Sequence, residues 1–594
     1  MTTTRRNLLK FVGGGAAGAL LTPAPWRLIT DTALWSENWP GIPRPARGEI
    51  RARFTHCTLC PAGCAVRARC VNGQPVSLTG VKPHPISHGA LCPWGIAGHH
   101  LPYHPARVRQ GPVKEALAAV ARAISQRGAG ERVAMLDLRP GRTVSWTYRR
   151  CMAAMDGGLY LTPRQPDYAI DLAAAQTVVS FGAPLFDGWG TPGNVFAARA
   201  NFRLVQIEPV ETRTAALADV WLPIRPGAET AIAAALAGET TIAEAARATG
   251  VEEQALGAVK EAIGSGAAVA LAADPASPLM SLNAKFKALG HTVVARREAP
   301  VPDAWKKAAP VGEMAAAPDG AIRVLLIDES LPGGYVPWRD IQPKLAPDAV
   351  VVVFGSSSEG YARHAQYVLP APVYPEAAED VGPAIDTVAA VFRIAAPLIA
   401  PAVPVVNPGE LLARIAGLPA SDPLRERADA IHKAGHGSLL GYADRKSTLV
   451  KDVAADDFWK TLNQGGCWMD ATGKKAAPGK LAFRASGEQP HDDLPLAVVA
   501  AEARRGGLES PLMSKLERES NLRLSANGLA LSPADARANG IENGGRCLLE
   551  TACGRLSVVA TIDAGVPSGV VEVSGGPRMA DLCSGSQRAR VVRI

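Results

Sequence analysis

The stretch CTLCPAGC, residues 57–64, sets three cysteines in eight positions, and a fourth, Cys92, follows in HGALCPWG, residues 88–95. The spacing of Cys57, Cys60, Cys64 and Cys92 is C-x2-C-x3-C-x27-C. Cys57 and Cys60 lie too close along the chain for comfortable disulfide geometry with each other. Two metal readings remain. Four thiolates can bind structural zinc, although zinc sites usually pair two C-x-x-C knuckles. Three thiolates in one tight loop with a distant fourth suit a cubane [4Fe–4S] cluster, in which each iron takes one thiolate. Pro61 and Gly63 let the loop wrap tightly, and Gly89 helps to bring Cys92 in. Pro61 after Cys60 rules out a C-x-x-C-H haem attachment there. The histidines of GHHLPYH, 98–104, read as surface or supporting residues rather than ligands.

Outward from this loop, the chain is too long for one hydrophobic core: 594 residues imply two to four domains. With 47% hydrophobic and 20% charged residues, large cores are possible within an ordinary globular composition. The net charge of +8 is small for this length, and no dense Lys/Arg run with interleaved aromatics occurs, so nucleic acid is not an expected partner. Ten cysteines are too few for a disulfide scaffold. The six outside the loop (Cys70, Cys151, Cys467, Cys547, Cys553 and Cys583) read as small buried hydrophobes.

The N-terminal TRRNLLK places Arg5 and Arg6 before a Gly/Ala-rich apolar run, Leu8 to Leu21, broken by Pro23 and Pro25. This reads as a twin-arginine export signal over residues 1–25, with delivery to the extracytoplasmic face of the membrane. No clear A-x-A site follows, so the signal is expected to stay on as a tether. The run is too short and Gly-rich for a comfortable bilayer span. The export route moves folded cargo and therefore suits a chain loaded with its cofactor beforehand.

Beyond residue 130, short β-branched runs alternate with Ala-rich helical stretches, as parallel sheets covered by helices require. The expected class is α/β, with a small N-terminal iron–sulfur domain, two or more Rossmann-like units and a C-terminal antiparallel β-barrel. The barrel is read from short strands punctuated by Asn-Gly, Gly-Gly and Cys-Gly turns. The divisions are a signal at 1–25, an extended arm at 26–50, the cysteine domain at 51–110, α/β units at 111–300 and 301–450, a linker at 451–492, and the barrel at 493–594. Residues 301–320 also read as linker. A short helix at SPADARANG is expected to be capped by Ser532.

These pieces, in this order, resemble the iron–sulfur and bis-molybdopterin-guanine-dinucleotide oxidoreductases, the superfamily of formate dehydrogenases and polysulfide or thiosulfate reductases. The loop CTLCPAGC…HPISHGALCPWG matches closely, with His84, Pro85, Gly89 and Leu91 in familiar places. Residues 205–231, VQIEPVETRTAALADVWLPIRPGAETA, resemble the family's strand and loop, with Glu208 for Asp, Val210 for Arg and Glu229 for Asp. The resemblance makes Glu208, Arg225 and Gly227 the candidate pterin-binding residues. Residues 359–380, EGYARHAQYVLPAPVYPEAAED, resemble a later segment of the family.

Three departures stand out. Trp94 occupies the place of the Lys or Arg that normally lies between cluster and pterin. The loop that presents Cys, selenocysteine, Ser or Asp to the metal in catalytic members corresponds to DGGLYLTPRQPDYA, 156–169, which has no Cys or Ser and carries Asp156 and Asp167 at its ends. The chain is also short, with loops trimmed where catalytic members enclose substrate. Together these imply no catalytic residue of its own, and a subunit that keeps the fold and one [4Fe–4S] cluster without molybdenum chemistry. The molybdopterin-like subunits of menaquinone reductase complexes and of alternative complex III resemble it most. That likeness implies three partners: a ferredoxin-like multi-cluster subunit, an integral membrane quinone-interacting subunit, and a multihaem cytochrome c. The N-terminal arm and the late SPLMSKLERESNLR add to that resemblance, and Trp26, Trp35 and Trp39 read as packing onto a neighbour or the membrane interface. The alternative is a catalytic molybdenum or tungsten enzyme holding molybdopterin guanine dinucleotide and acting on a small anion.

Overall fold

The computed structural model describes residues 4–21, 48–331, 333–473, 475–479, 494–500, 527–575, 577–583 and 588–594. The three arm tryptophans and the SPLMSKLERESNLR segment lie outside them. Arg5–Leu21 is an exposed helix, and no helix among the described residues is long and apolar enough to cross a membrane.

Three antiparallel strands, Ile50–His56, Ala65–Val71 and Gln74–Gly80, form the sheet that carries the cysteines. Alternation shapes its middle strand: Val66, Ala68 and Cys70 are buried while Arg67 and Arg69 reach solvent. Residues 57–64 are the lobe joining the first two strands, and one more ladder bond, Cys57 N–H to the Cys64 carbonyl at 2.9 Å, closes its neck.

The main sheet has six strands, all parallel, in the spatial order Val311–Glu313, Gly158–Thr162, Arg132–Asp137, Ile322–Glu329, Leu345–Gly355, Tyr367–Pro370. Its strands are apolar on both faces, as a sheet covered by helices demands. Val133 and Met135 enter one core with Val324 and Leu326, whereas Ala134 and Leu136 enter the opposite core with Leu325 and Ile327. A second parallel sheet, ordered Ala268–Ala272, Thr177–Phe181, Arg203–Glu208, Val220–Pro223, is threaded between two strands of the first.

The expected division at residue 300 therefore does not follow the sheets. Strands from both sides of it share one sheet, and the second unit is nested inside the first. Alternating strands and helices look the same in sequence whether units are nested or in tandem. The linker at 301–320 is also corrected, since Val311–Glu313 is an edge strand and Trp305 is buried. So is the linker at 451–492. Its first part folds into the helix Ala455–Asn463 and the strand Cys467–Asp470, which completes a five-stranded antiparallel sheet with Glu379–Asp380, Ala390–Ala395, Ser438–Leu440 and Ser447–Leu449, whereas 480–492 lie outside the described residues.

The C-terminal strands close into a six-stranded barrel. It is not wholly antiparallel: Leu496–Ala500 pairs parallel with Val570–Gly575, and Asn527–Leu531 with Gly554–Ile562. The helix Pro533–Ala538 starts as expected, with the Ser532 hydroxyl accepting from the Asp535 N–H at 3.0 Å.

Candidate metal centre

The lobe at 57–64 is fixed by its own backbone and by a buried arginine from far along the chain. Gly63 sits at φ +52°, a left-handed conformation that glycine adopts without penalty. A Cβ there would lie 2.6 Å from the Arg393 guanidinium carbon. Arg393 in turn donates to the Pro61 carbonyl at 3.0 Å and to that of Gly382 at 3.3 Å. On the lobe's other side, Thr55 and His56 bond the carbonyls of Ala396 and Ile394 at 2.7 and 3.0 Å. The five-stranded sheet thus clamps the cysteine sheet.

Cys57, Cys60 and Cys64 are buried and Cys92 is half-buried at the start of the short helix Pro93–Ala97. That helix approaches so closely that a Cβ on Gly95 would stand 3.4 Å from the Cys57 sulfur. Burial pushes the Cys57 thiol well above its ordinary range, and Cys60, Cys92 and Cys64 push it in the same direction. The Cys57 sulfur therefore lies within electrostatic reach of the other three cysteines. Yet among the described residues no three His, Cys, Asp or Glu side chains converge tightly enough to hold a single metal ion.

Around the lobe stand buried polar atoms that find no partner among the described residues: the hydroxyls of Thr58 and Tyr374, Nη2 of Arg139, and Nε and Nη1 of Arg393. Tyr374 is 3% exposed and packs in one apolar core with Cys57 and Leu59. Leaving such groups unbonded costs about 1–3 kcal/mol each, more for charged ones. A sulfide-rich cluster held by the four thiolates would accept hydrogen bonds from donors placed this way, and the donor set fits it.

A cavity of about 560 Å³ adjoins the lobe, walled in part by Cys60, Arg139, Arg164, Arg296, Gly334 and Gly382. Its size suits a small ligand. Among the described residues its wall holds no Ser or Thr and no Cys besides Cys60. Its aspartates are engaged: Asp187 by Arg213, Asp274 by the Ala276 N–H, and Asp380 by Arg427 and the Thr143 N–H. From the stretch 156–169 it takes Pro163 to Pro166, and neither Asp156 nor Asp167. Glu298, exposed on the same wall, is the carboxylate that makes no hydrogen bond or ion pair among the described residues.

The structure brings together the four cysteines but not the candidate pterin residues. Glu208 ends its strand buried, takes the Thr212 hydroxyl at 2.5 Å, and does not line the cavity. Arg225 is exposed and reaches the Ala248 carbonyl at 3.5 Å, and Gly227 is exposed beside it. Trp94 packs half-buried against the core containing Cys57 and Tyr374. Of the six remaining cysteines, Cys70, Cys151, Cys467 and Cys547 are buried, Cys583 is half-buried and Cys553 is exposed.

Sequence reasoning missed Arg139, Tyr374 and Arg393. Arg139 carried one usable signal: it follows a strand of a parallel sheet, at the carboxyl end where such sheets open their crevices.

Residues 51–104 match the family described as Molybdopterin oxidoreductase Fe4S4 domain. Across 97% of this chain and 94% of the relative, the sequence is 26% identical to the menaquinone reductase, molybdopterin-binding-like subunit, of Nitratidesulfovibrio vulgaris. A shorter match, 26% identical over 32% of this chain and 24% of the relative, is to a sulfite dehydrogenase subunit from Allochromatium vinosum. Among solved structures, acetylene hydratase from Pelobacter acetylenicus superposes with a TM-score of 0.64, covering 91% of this chain and 100% of that one at 14% identity. At that identity the likeness speaks for the fold alone. Along nearly its whole length the chain is thus similar to a molybdopterin-binding-like subunit, and its residues 51–104 match the Fe4S4 domain of molybdopterin oxidoreductases.

Proposed function

We propose that this chain is the iron–sulfur electron-transfer subunit of a respiratory quinone oxidoreductase complex, without molybdenum chemistry of its own. One [4Fe–4S] cluster, ligated by Cys57, Cys60, Cys64 and Cys92, passes single electrons to a partner that serves quinone. The observation that carries this reading is the asymmetry around Cys60. On one side lie four thiols with unbonded donors gathered about their loop. On the other lies a cavity that takes Pro163 to Pro166 from the stretch 156–169, with neither Asp156 nor Asp167, and has Cys60 as its one cysteine among the described residues. Cysteines gathered about Cys57 without converging on one point among the described residues suit several irons better than one zinc ion. The full-length likeness to a protein named for menaquinone reductase supports the quinone-linked setting. Within it, electron transfer calls for three partners: a multi-cluster ferredoxin-like subunit, a quinone-interacting membrane subunit, and a multihaem cytochrome.

Metal analysis of the purified chain tests the reading. The expected result is about four irons per chain with no molybdenum or tungsten. Stoichiometric molybdenum overturns it, and zinc without iron removes the cluster altogether. Placement on the outer face of the membrane rests on Arg5 and Arg6, which begin the exposed helix Arg5–Leu21. Changing both to Lys keeps the charge and should strand the folded protein in the cytoplasm; normal export would refute the signal.

A further inference from the structure

Trp94, two residues beyond the last cluster cysteine, brings no charge to the cysteine lobe. We propose that Arg139 supplies a positive charge from the opposite side, between the cluster and the cavity, and sets the cluster's reduction potential. This rests on the cluster assignment above.

Arg139 is 5% exposed and lines the cavity together with Leu59, Cys60, Pro61 and Ala62. Its Nη1 donates to the carbonyl of Thr58, inside the cysteine lobe, and its Nη2 is buried without a partner. The side chain is held for this post. Its own N–H donates to Asp137 Oδ1 at 2.9 Å, and its carbonyl accepts from Arg142 Nε at 2.9 Å, so both neighbours fix the turn after the strand Arg132–Asp137.

The two arginines differ in what neutralises them. Arg142 bonds Asp328 at 2.7 Å, and Asp137 and Glu379 at 3.2 Å each. Among the described residues the Arg139 guanidinium bonds no carboxylate, and Glu379 acts on it only through space. Burial first, then the charge of Arg142, pulls it down to about 10, which leaves it a cation at neutral pH. A buried cation next to the lobe favours the more negative, reduced cluster, and low local dielectric strengthens the effect.

The test is a redox titration of the full-length, iron-loaded chain, read by the electron paramagnetic resonance of the reduced cluster. Arg139→Gln should lower the midpoint potential, Arg139→Lys should leave it near wild type, and adding Trp94→Lys to Arg139→Gln should bring it back. Arg139→Gln with four irons and a wild-type midpoint overturns the proposal. If Arg139→Gln loses its iron, Arg139→Lys decides. Iron retained at an unmoved midpoint shows that the site needs the charge; iron lost again shows that it needs the bond to Thr58, and the proposal falls. A chain without iron even as wild type would instead end the cluster assignment on which this rests.

Discussion

Two regions that the sequence marks as functional behave oppositely once folded. Around residues 57–64, buried hydroxyls and guanidinium nitrogens stand without partners. Around Glu208, Arg225 and Gly227 the polar groups look after themselves: Glu208 takes the Thr212 hydroxyl, and Arg225 meets the carbonyls of Thr249 and Ala248 through its backbone and side chain. The first region is built to receive something the polypeptide does not supply. In the second the three candidate residues are met by the protein itself, although Gln206 Oε1 and Thr214 Oγ1 nearby find no partner among the described residues.

The largest effect that can break this contrast is loss of a thiolate. Cys60→Ser should abolish the broad visible absorption and most of the bound iron, because an iron left open makes the cluster labile. Glu208→Gln should keep both at wild-type levels. Equal iron loss in the two variants would erase the distinction.

Next comes the scaffold beneath the cavity. Arg142→Met removes the guanidinium that Asp137, Asp328 and Glu379 share. Stranding buried carboxylates in this way costs about 3–5 kcal/mol. Denaturant unfolding followed by circular dichroism should show it as a large fall in midpoint; an unchanged midpoint would mean that the network relaxes freely.

Asp386 gives a smaller, pH-dependent effect at the cavity's edge. It accepts from the Thr191 N–H and hydroxyl at 2.8 and 3.0 Å, yet burial outweighs these bonds and raises it to about 6. A carboxyl raised in the fold binds more protons folded than unfolded. Its contribution is full below its ordinary value of 3.8 and is lost as pH rises through about 6. Stability of the wild type relative to Asp386→Asn should therefore decline from about pH 4 to about pH 6, by up to about 1.4 kcal/mol per pH unit. A flat difference across that window would contradict the assignment.

Trp94→Lys should do least. Losing a half-buried indole lowers stability by about 1–2 kcal/mol, while iron content and quinone-linked transfer hold. Should the variant instead acquire molybdenum-dependent reduction of a small oxyanion, the cavity is a live catalytic site and the contrast collapses.

How far the sequence reveals all this depends on how local each determinant is. The cysteine spacing is written within 36 residues, so the four-cysteine loop is legible directly. The barrel's turn residues and the Ser532 cap are equally local. Arg393, Tyr374 and Arg139 reach the loop only through folding, and nothing beside them in sequence names their neighbours. Val311–Glu313 is only three residues long, too short for an alternation signal, so an edge strand reads as a linker. Glu208, Arg225 and Gly227 keep their motif, but a motif cannot report whether the cavity still reaches them.

The clamp on the cysteine lobe also sets a timetable. Its bonds, from Arg393 to Pro61 and from Thr55 to Ala396, span 332 and 341 residues. At roughly 5–20 residues per second of synthesis, the lobe waits about 20–60 s on the ribosome before its seat exists. The nested sheet, continuous from Thr177 to Ala272, has emerged entire by then and can fold first. Nascent thiols are thus displayed early and secured late. Iron delivered before Arg393 arrives would meet a flexible loop, and iron delivered afterwards would meet a seat already formed.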